Sequence, residues 1–408
     1  MINFIKKNKF IILSFFIILG FVFILKPNVY EVNINTPNIL NKNLANEAEN
    51  KNLKQEKLKE NLNEIKLEND FLSAQLKNPP KNIYALYANK WSAGSEKKLN
   101  YLITLIKNNN LNSIVIDIKD YSGYLSYKMP IELAEKSGAL KQISILDPNK
   151  LIKKLHEENI YVIARITVFQ DPIISNYITE YAVKNKSTGG IWKDNKGLSW
   201  IDPAAKDYWN YILAISKDAL SRGFDELNFD YIRFPSDGKL DLMSYSYYDE
   251  KTPKNEVIKD FFKFLRENLA GAKISADIFG LTTIDYTDLG IGQIIEDAYF
   301  YFDVVAPMVY PSHFAPYSFG YKNPSNYPYE VISKSMGGAL KRLEAQTSSK
   351  ALLRPWLQVF DLGAKYDKNM IEAQIKAVED VLGKTPYYNG YFFWDPENNY
   401  LNLPALEK

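Results

Sequence analysis

From Asn82 to the C-terminus, short apolar runs rich in β-branched and aromatic residues alternate with longer stretches of helical period. The runs begin near Asn82 (NIYALYA), Ser113 (SIVIDIKD), Ile160 (IYVIARITVF), Asp225 (DELNFDYIRFP), Lys273 (KISADIFG), Asp303 (DVVAPMVYP), Leu352 (LLRPWLQVF) and Asn389 (NGYFFWDP). Eight strands alternating with helices predict an α/β fold, a (β/α)8 TIM barrel over residues 81–408. The competing open, doubly wound sheet usually carries a Gly-rich phosphate loop after its first strand, and Ala88-Asn89-Lys90-Trp91 is not one. The clearest helix is expected to open at Asp202-Pro203, an N-cap followed by a first-turn proline, and to close near Gly223.

Ahead of residue 81 the pattern changes twice. Lys6, Lys7 and Lys9 precede an uncharged apolar run of 16 residues, Phe10 to Leu25, closed by Lys26. A spanning helix needs roughly 17–25 residues, so this run is near the lower limit. The lysines assign the N-terminal end to the cytoplasm. No A-x-A cleavage pattern follows. Residues 1–30 are therefore expected to be a cytoplasmic tip and a transmembrane signal-anchor helix, with a cleaved secretory signal as the alternative. The remainder would be extracytoplasmic, in the periplasm or on the cell surface. Residues 31–80 are expected to form a helical stalk. Within it Leu58, Leu62, Ile65, Asn69, Leu72 and Leu76 step by 4, 3, 4, 3 and 4, a heptad seam ended by Pro79-Pro80. Residues 40–77, if helical, would reach about 57 Å at ~1.5 Å per residue. The seam points to a homodimer through residues 58–76, with a single solvated helix or loose linker as the alternative.

Composition removes several chemistries. There is no Cys, which excludes disulfides, thiol nucleophiles and Cys-based metal sites. Only two histidines exist, His156 and His313. His156 lies in a His-Glu-Glu-Asn run without zinc-protease spacing and reads as a surface residue. Lys and Arg total 50 against 48 Asp and Glu, a balance that speaks against a nucleic-acid partner. No cofactor and no metal are expected.

The barrel reading makes a demand on the polar residues. Side chains at i, i+2 and i+4 share a face, and functional groups belong at the C-terminal strand ends. Asp117 and Lys119 share a face in the second strand, and Arg165 lies with Ile163 and Thr167 in the third. Glu226, Asn228 and Asp230 align in the fourth, Ser275 and Asp277 in the fifth, and Arg354, Trp356 and Gln358 in the seventh. The eighth ends in Trp394-Asp395. Several carboxylates around a barrel mouth suit glycoside hydrolysis, which needs a pair of carboxyl groups with different protonation states. Asp230 and Asp277, on adjacent strands, are the first catalytic pair, with Asp117, Asp120, Glu226 and Asp395 in reserve. Arg165, Arg233, Lys119, Asn228, Tyr310, His313, Trp356, Gln358, Trp394 and Asp395 are candidates for holding a polysaccharide substrate, as is Asp117. Trp91, Trp192 and Trp200 are candidate sugar-stacking surfaces, and Trp209, in mid-helix, reads as packing.

The segments YIRFPSDG (231–238), APMVYPSHF (306–314), LRPWLQVF (353–360) and YFFWDPENNY (391–400) resemble the bacterial glycoside hydrolase-like domain family of unknown function. The resemblance covers about residues 82–400 and implies a (β/α)8 barrel. The fourth strand is also similar to the D-x-x-D-x-D-x-E signature of chitinase-like barrels. Asp225 and Asp230 match it, Asn228 replaces an Asp, and Ile232 replaces the acid Glu. That departure argues against a mechanism in which a substrate acetamide attacks. The better analogy, barrels whose fourth strand ends in a catalytic Asp, supports Asp230. The missing Glu also keeps open a non-catalytic glycan-binding protein on the same barrel. A scaffold that works through its stalk is a third reading.

Overall fold

The computed structural model describes residues 75–347, 349 and 351–406. The expected membrane anchor and nearly all of the heptad seam lie outside the described residues. Among the described residues no helix is long and apolar enough to cross a membrane.

Eight parallel strands form a closed ring. They are β1 (Ile83–Ala88), β2 (Ser113–Lys119), β3 (Tyr161–Thr167), β4 (Glu226–Asp230), β5 (Ile274–Phe279), β6 (Val304–Met308), β7 in two pieces (Leu352–Leu353 and Trp356–Gln358), and β8 (Gly390–Trp394). Strands pair in chain order, and Ile83 opposite Gly390 closes the ring. Each strand starts within one residue of its predicted position. The break in β7 falls at Arg354-Pro355, where proline has no N–H to give the ladder. Pairing survives it, because Arg354 N donates to Val305 O at 3.1 Å and Phe392 N to Pro355 O at 2.9 Å.

The two faces of each strand separate two cores. Ile114, Ile116 and Ile118, Leu227 and Phe229, and Ile274, Ala276 and Ile278 pack outward into the helical layer. Ile83, Ala85, Tyr87, Val115, Ile163, Trp356 and Phe392 pack inside the ring. Burying one such aliphatic or aromatic side chain contributes roughly 1.5–3 kcal/mol. Helix α1 (Glu96–Asn108) shows how the outer layer is made: Leu99, Leu102, Ile103 and Ile106 recur at helical spacing and are buried.

Two local expectations fail. Helix α2 spans Lys206–Arg222, so it begins later than Asp202-Pro203, although Gly223 ends it in the left-handed region at φ 101° as expected. Asp202 is taken by a distant loop: its Oδ2 accepts from Tyr247 N at 2.8 Å and Tyr248 N at 3.0 Å. Residues 75–77 are not helical. Leu76 N donates to Asp225 Oδ1 at 2.7 Å, and the Leu76 side chain packs against the inner core. Burial at the foot of the barrel therefore replaces the seam position expected for Leu76.

Long excursions follow β3 and β4. A short antiparallel ribbon, Lys184–Asn185 with Met243–Ser244, ties them together. They lie over the C-terminal ends of those strands, where Val168 N donates to Asp230 O and Phe169 N to Tyr231 O.

Candidate active site

The inward polar residues of β4 occupy three heights. At the foot, Glu226 accepts from Arg354 Nη1 at 2.8 Å and Nη2 at 3.2 Å, while Arg354 Nε donates to Asn389 Oδ1 at 3.0 Å. Glu226 and Arg354 are both fully enclosed. This reserve carboxylate is structural, since a bidentate arginine satisfies both of its oxygens. Asn228, one step higher, donates to Asp277 Oδ1 at 2.8 Å and to Ser275 Oγ at 3.1 Å. Asp230 ends the strand.

Arg165 of β3 is the hub of the upper layer. Its Nη1 donates to Asp117 Oδ1 at 2.6 Å, its Nη2 donates to Asp230 Oδ2, and its Nε faces Asp277 Oδ2 at 3.6 Å. Tyr87 Oη donates to Asp117 Oδ2 at 2.5 Å, and Tyr231 N donates to Asp230 Oδ1 at 2.6 Å. Tyr231 has φ 53°, a strained left-handed conformation for an aromatic residue that costs of order 1–3 kcal/mol. The strain turns the chain out of the barrel immediately after Asp230.

One guanidinium faces three carboxylates, so the charges cannot all be compensated. Asp277 bears the excess. Its Oδ1 accepts from Asn228 and from Trp356 Nε1 at 2.7 Å, but its buried Oδ2 has no hydrogen-bond partner among the described residues. Burial raises the Asp277 pKa well above the usual carboxylate value; the charge on Asp230 adds to this and Arg165 opposes it. Burial also raises Asp117, against the opposing pull of Arg165. For Arg165 burial disfavours the charge, yet Asp117 and Asp230 outweigh it and the pKa rises. The layer therefore holds two carboxyls whose protons burial favours, Asp277 more strongly than Asp117, beside Asp230, whose oxygens are held by a guanidinium and a backbone N–H.

Other expected site residues divide by position. The Trp394 ring lies 4.0 Å from that of Tyr87 and 4.9 Å from the Arg165 guanidinium, half-buried at the mouth. Tyr310 is buried nearby; burial chiefly, then the charges of Asp277 and Asp230, raise its pKa. His313 is exposed at the rim, its ring 5.2 Å from Tyr310 and 5.8 Å from Phe360. Arg233 is stacked among three rings beside the ends of β4 and β5.

Lys119, Gln358 and Asp395 are not brought to this cluster. A register shift between Asp117 and Lys119 carries the Lys119 ammonium to Asp171 at 3.0 Å and Thr167 O at 2.7 Å. Gln358 bridges loops, accepting from Ser312 N at 3.2 Å and donating to Phe360 O at 2.9 Å. Asp395 Oδ1 accepts from Glu397 N at 2.8 Å and shapes the turn after β8. Asp120 pairs with Lys90 at 3.0 Å. Two indoles expected to stack on sugar are packed instead: Trp192 Nε1 donates to Lys239 O and Trp200 Nε1 to Asp194 Oδ2. Trp91 is exposed, and Trp209 packs on Phe261 and Phe264. His156 is not a free surface residue, because its Nε2 lies 2.9 Å from Asp225 Oδ2. Tyr87 went unrecognised as a site residue. Period-two alternation from Ile83 through Ala85 was the signal that turns it inward. Among the described residues no group of three or more His, Asp or Glu is arranged to hold a metal ion.

Residues 85–400 match the family described as "Putative glycosyl hydrolase domain", about three quarters of the chain. A hypothetical protein from Ruminiclostridium thermocellum is 40% identical, covering 47% of this chain and 96% of its own at a TM-score of 0.44. The glycoside hydrolase domain of PelA from Pseudomonas aeruginosa is 12% identical, covering 80% of this chain and 100% of its own at 0.44. An α-galactosidase from Thermus thermophilus, solved with stachyose, is 10% identical, covering 80% and 65% at 0.49. No curated protein matches the chain.

Proposed function

Because this chain belongs to the glycosyl hydrolase domain family matched over residues 85–400, we propose that its barrel hydrolyses a glycosidic bond through Asp277 and Asp230. The observation that carries the residue assignment is the unbonded, buried Asp277 Oδ2 opposite a charge-paired Asp230. Asp277, neutral in the resting state, gives its Oδ2 proton to the glycosidic oxygen as the C–O bond breaks. Asn228, Trp356 and Arg165 then stabilise the carboxylate left behind. Asp230 acts on the anomeric carbon, either directly as nucleophile or by taking a proton from the attacking water. Trp394 and Tyr310 offer aromatic surface for a sugar ring. The substrate we assign is a cell-envelope or surface polysaccharide. Residues 1–30 would anchor the enzyme in the cell membrane with the barrel outside the cytoplasm.

A second reading is a glycan-binding barrel without turnover. Ile232 supports it, being apolar and fully buried where the chitinase-like signature has its acid. The hold of Arg165 on Asp230 also supports it. The test is release of new reducing ends from a panel of envelope polysaccharides by the full chain and by Asp230→Asn. Hydrolysis by the wild type that vanishes in a folded Asp230→Asn variant is expected. Undiminished turnover in the variant sinks the assignment, and sugar binding without any turnover favours the second reading.

A further inference from the structure

Arg233 follows Asp230 by three residues, where the chain leaves β4. The protein has six arginines. Five of them ion-pair with a carboxylate: Arg165, Arg222, Arg266, Arg342 and Arg354. Arg233 has no such partner among the described residues, yet it is only 8% exposed. Its one acceptor among the described residues is Phe234 O, 3.0 Å from Nη1. A guanidinium has five N–H donors, so four are unused. Its free nitrogens are not sealed in, unlike Arg165 Nε.

Three rings hold the group in place. The guanidinium carbon lies 4.6 Å from the Phe279 ring, 4.8 Å from Trp200 and 5.2 Å from Tyr231. Phe279 ends the strand that carries Asp277, and Tyr231 follows Asp230. Stacking on three aromatic faces fixes the plane of the cation. It provides no hydrogen-bond acceptor. Burial disfavours the charge, and Tyr231, Asp230, Asp237 and Asp194 offset this only from outside ion-pair range. Asp194 is already committed to Gln170, Trp200 and two backbone N–H groups. A desolvated cation with unused donors lacks a counter-ion. An oxyanion carried by a ligand would supply it through charge-assisted hydrogen bonds.

We propose that Arg233 binds an anionic substituent on the sugar beside the scissile bond, so that the substrate is an acidic polysaccharide. This rests on the glycosidase reading and narrows it. A planar carboxylate, as on a uronic acid, suits the guanidinium fork, and a phosphate ester shares the same chemistry.

The test uses the full chain and two matched pairs of probes: oligogalacturonate with its carboxyl-reduced neutral form, and phosphorylated mannan with plain mannan. Affinity and new reducing ends are measured for the wild type, Arg233→Lys and Arg233→Met, with thermal melts to check folding. At least tenfold tighter binding is expected for the charged member of one pair, and that pair distinguishes carboxylate from phosphate. Arg233→Met should lose this preference, the charged probe weakening far more than the neutral one, and Arg233→Lys should retain part of it. The wild-type comparison stands even if Arg233→Met does not fold. Equal affinity within both pairs, no binding of either charged probe, or an equal loss for charged and neutral probes overturns the proposal. Cleavage of neutral polymers with charged ones refused overturns it and leaves the hydrolase intact. Tight, Arg233-dependent binding of a charged probe without new reducing ends removes the hydrolase and leaves the anion site.

Discussion

Asp277 and Glu226 are both enclosed carboxyls, and their neighbours give them opposite characters. Glu226 has a bidentate arginine for both oxygens, whereas Asp277 has N–H donors on one oxygen and, on the other, only Arg165 Nε at 3.6 Å, beyond hydrogen-bond range. Asp277→Asn should therefore lower turnover by about 10²–10⁴, the usual contribution of a general acid. The wild-type rate should fall on the alkaline side as Asp277 loses its proton. Stability follows the same proton. A folded pKa above the unfolded value of about 3.9 contributes stability that is full below that value and is lost as pH rises through the folded pKa. Asp277→Asn should thus gain melting temperature relative to wild type between pH 4 and pH 8, as read by thermal melts. A relative loss over that range would contradict the raised pKa.

At the scale of elements, the strands were legible from local pattern and the terminal details were not. Ser113 to Lys119 reads as a strand because its isoleucines alternate with the inward residues, a property of the segment itself. Asp202 does not cap the helix: its Oδ2 is claimed by Tyr247 and Tyr248, remote in sequence, and its Oδ1 closes only a local turn at Ala204 N. Lys119 shares its nominal face with Asp117, but a register shift removes it from the cluster. Asp225 shows the same dependence on distance. Its carboxylate accepts from Leu76 N and from Val162 N at 2.7 Å each. Asp225→Ala leaves two backbone donors without an acceptor, at roughly 1–3 kcal/mol each, so a loss of roughly 2–6 kcal/mol is expected in urea unfolding. Amide exchange at Leu76 should quicken in the same variant, and an unchanged rate would count against the foot contact.

For the whole molecule, the barrel has its foot at residues 75–82 and its candidate chemistry at the opposite rim. Such an arrangement suits a catalytic head, and dimerisation through the seam of residues 58–76, without Leu76, which docks on the barrel instead, is our proposal for the preceding segment. Sedimentation of the full chain should give a dimer mass that Leu62→Asp with Ile65→Asp reduces to the monomer; a monomer in both removes the coiled coil. Residue order and side-chain alternation are local properties, so the sequence alone determined eight strands, most of their inward residues and the placement of Asp230 and Asp277 on adjacent strands. Height within a closed ring and the identity of a charge partner depend on register between distant strands. Only the tertiary structure therefore decided that Arg354 neutralises Glu226, that Arg165 is shared by three aspartates, and that Arg233 is left with aromatic neighbours and no counter-ion among the described residues.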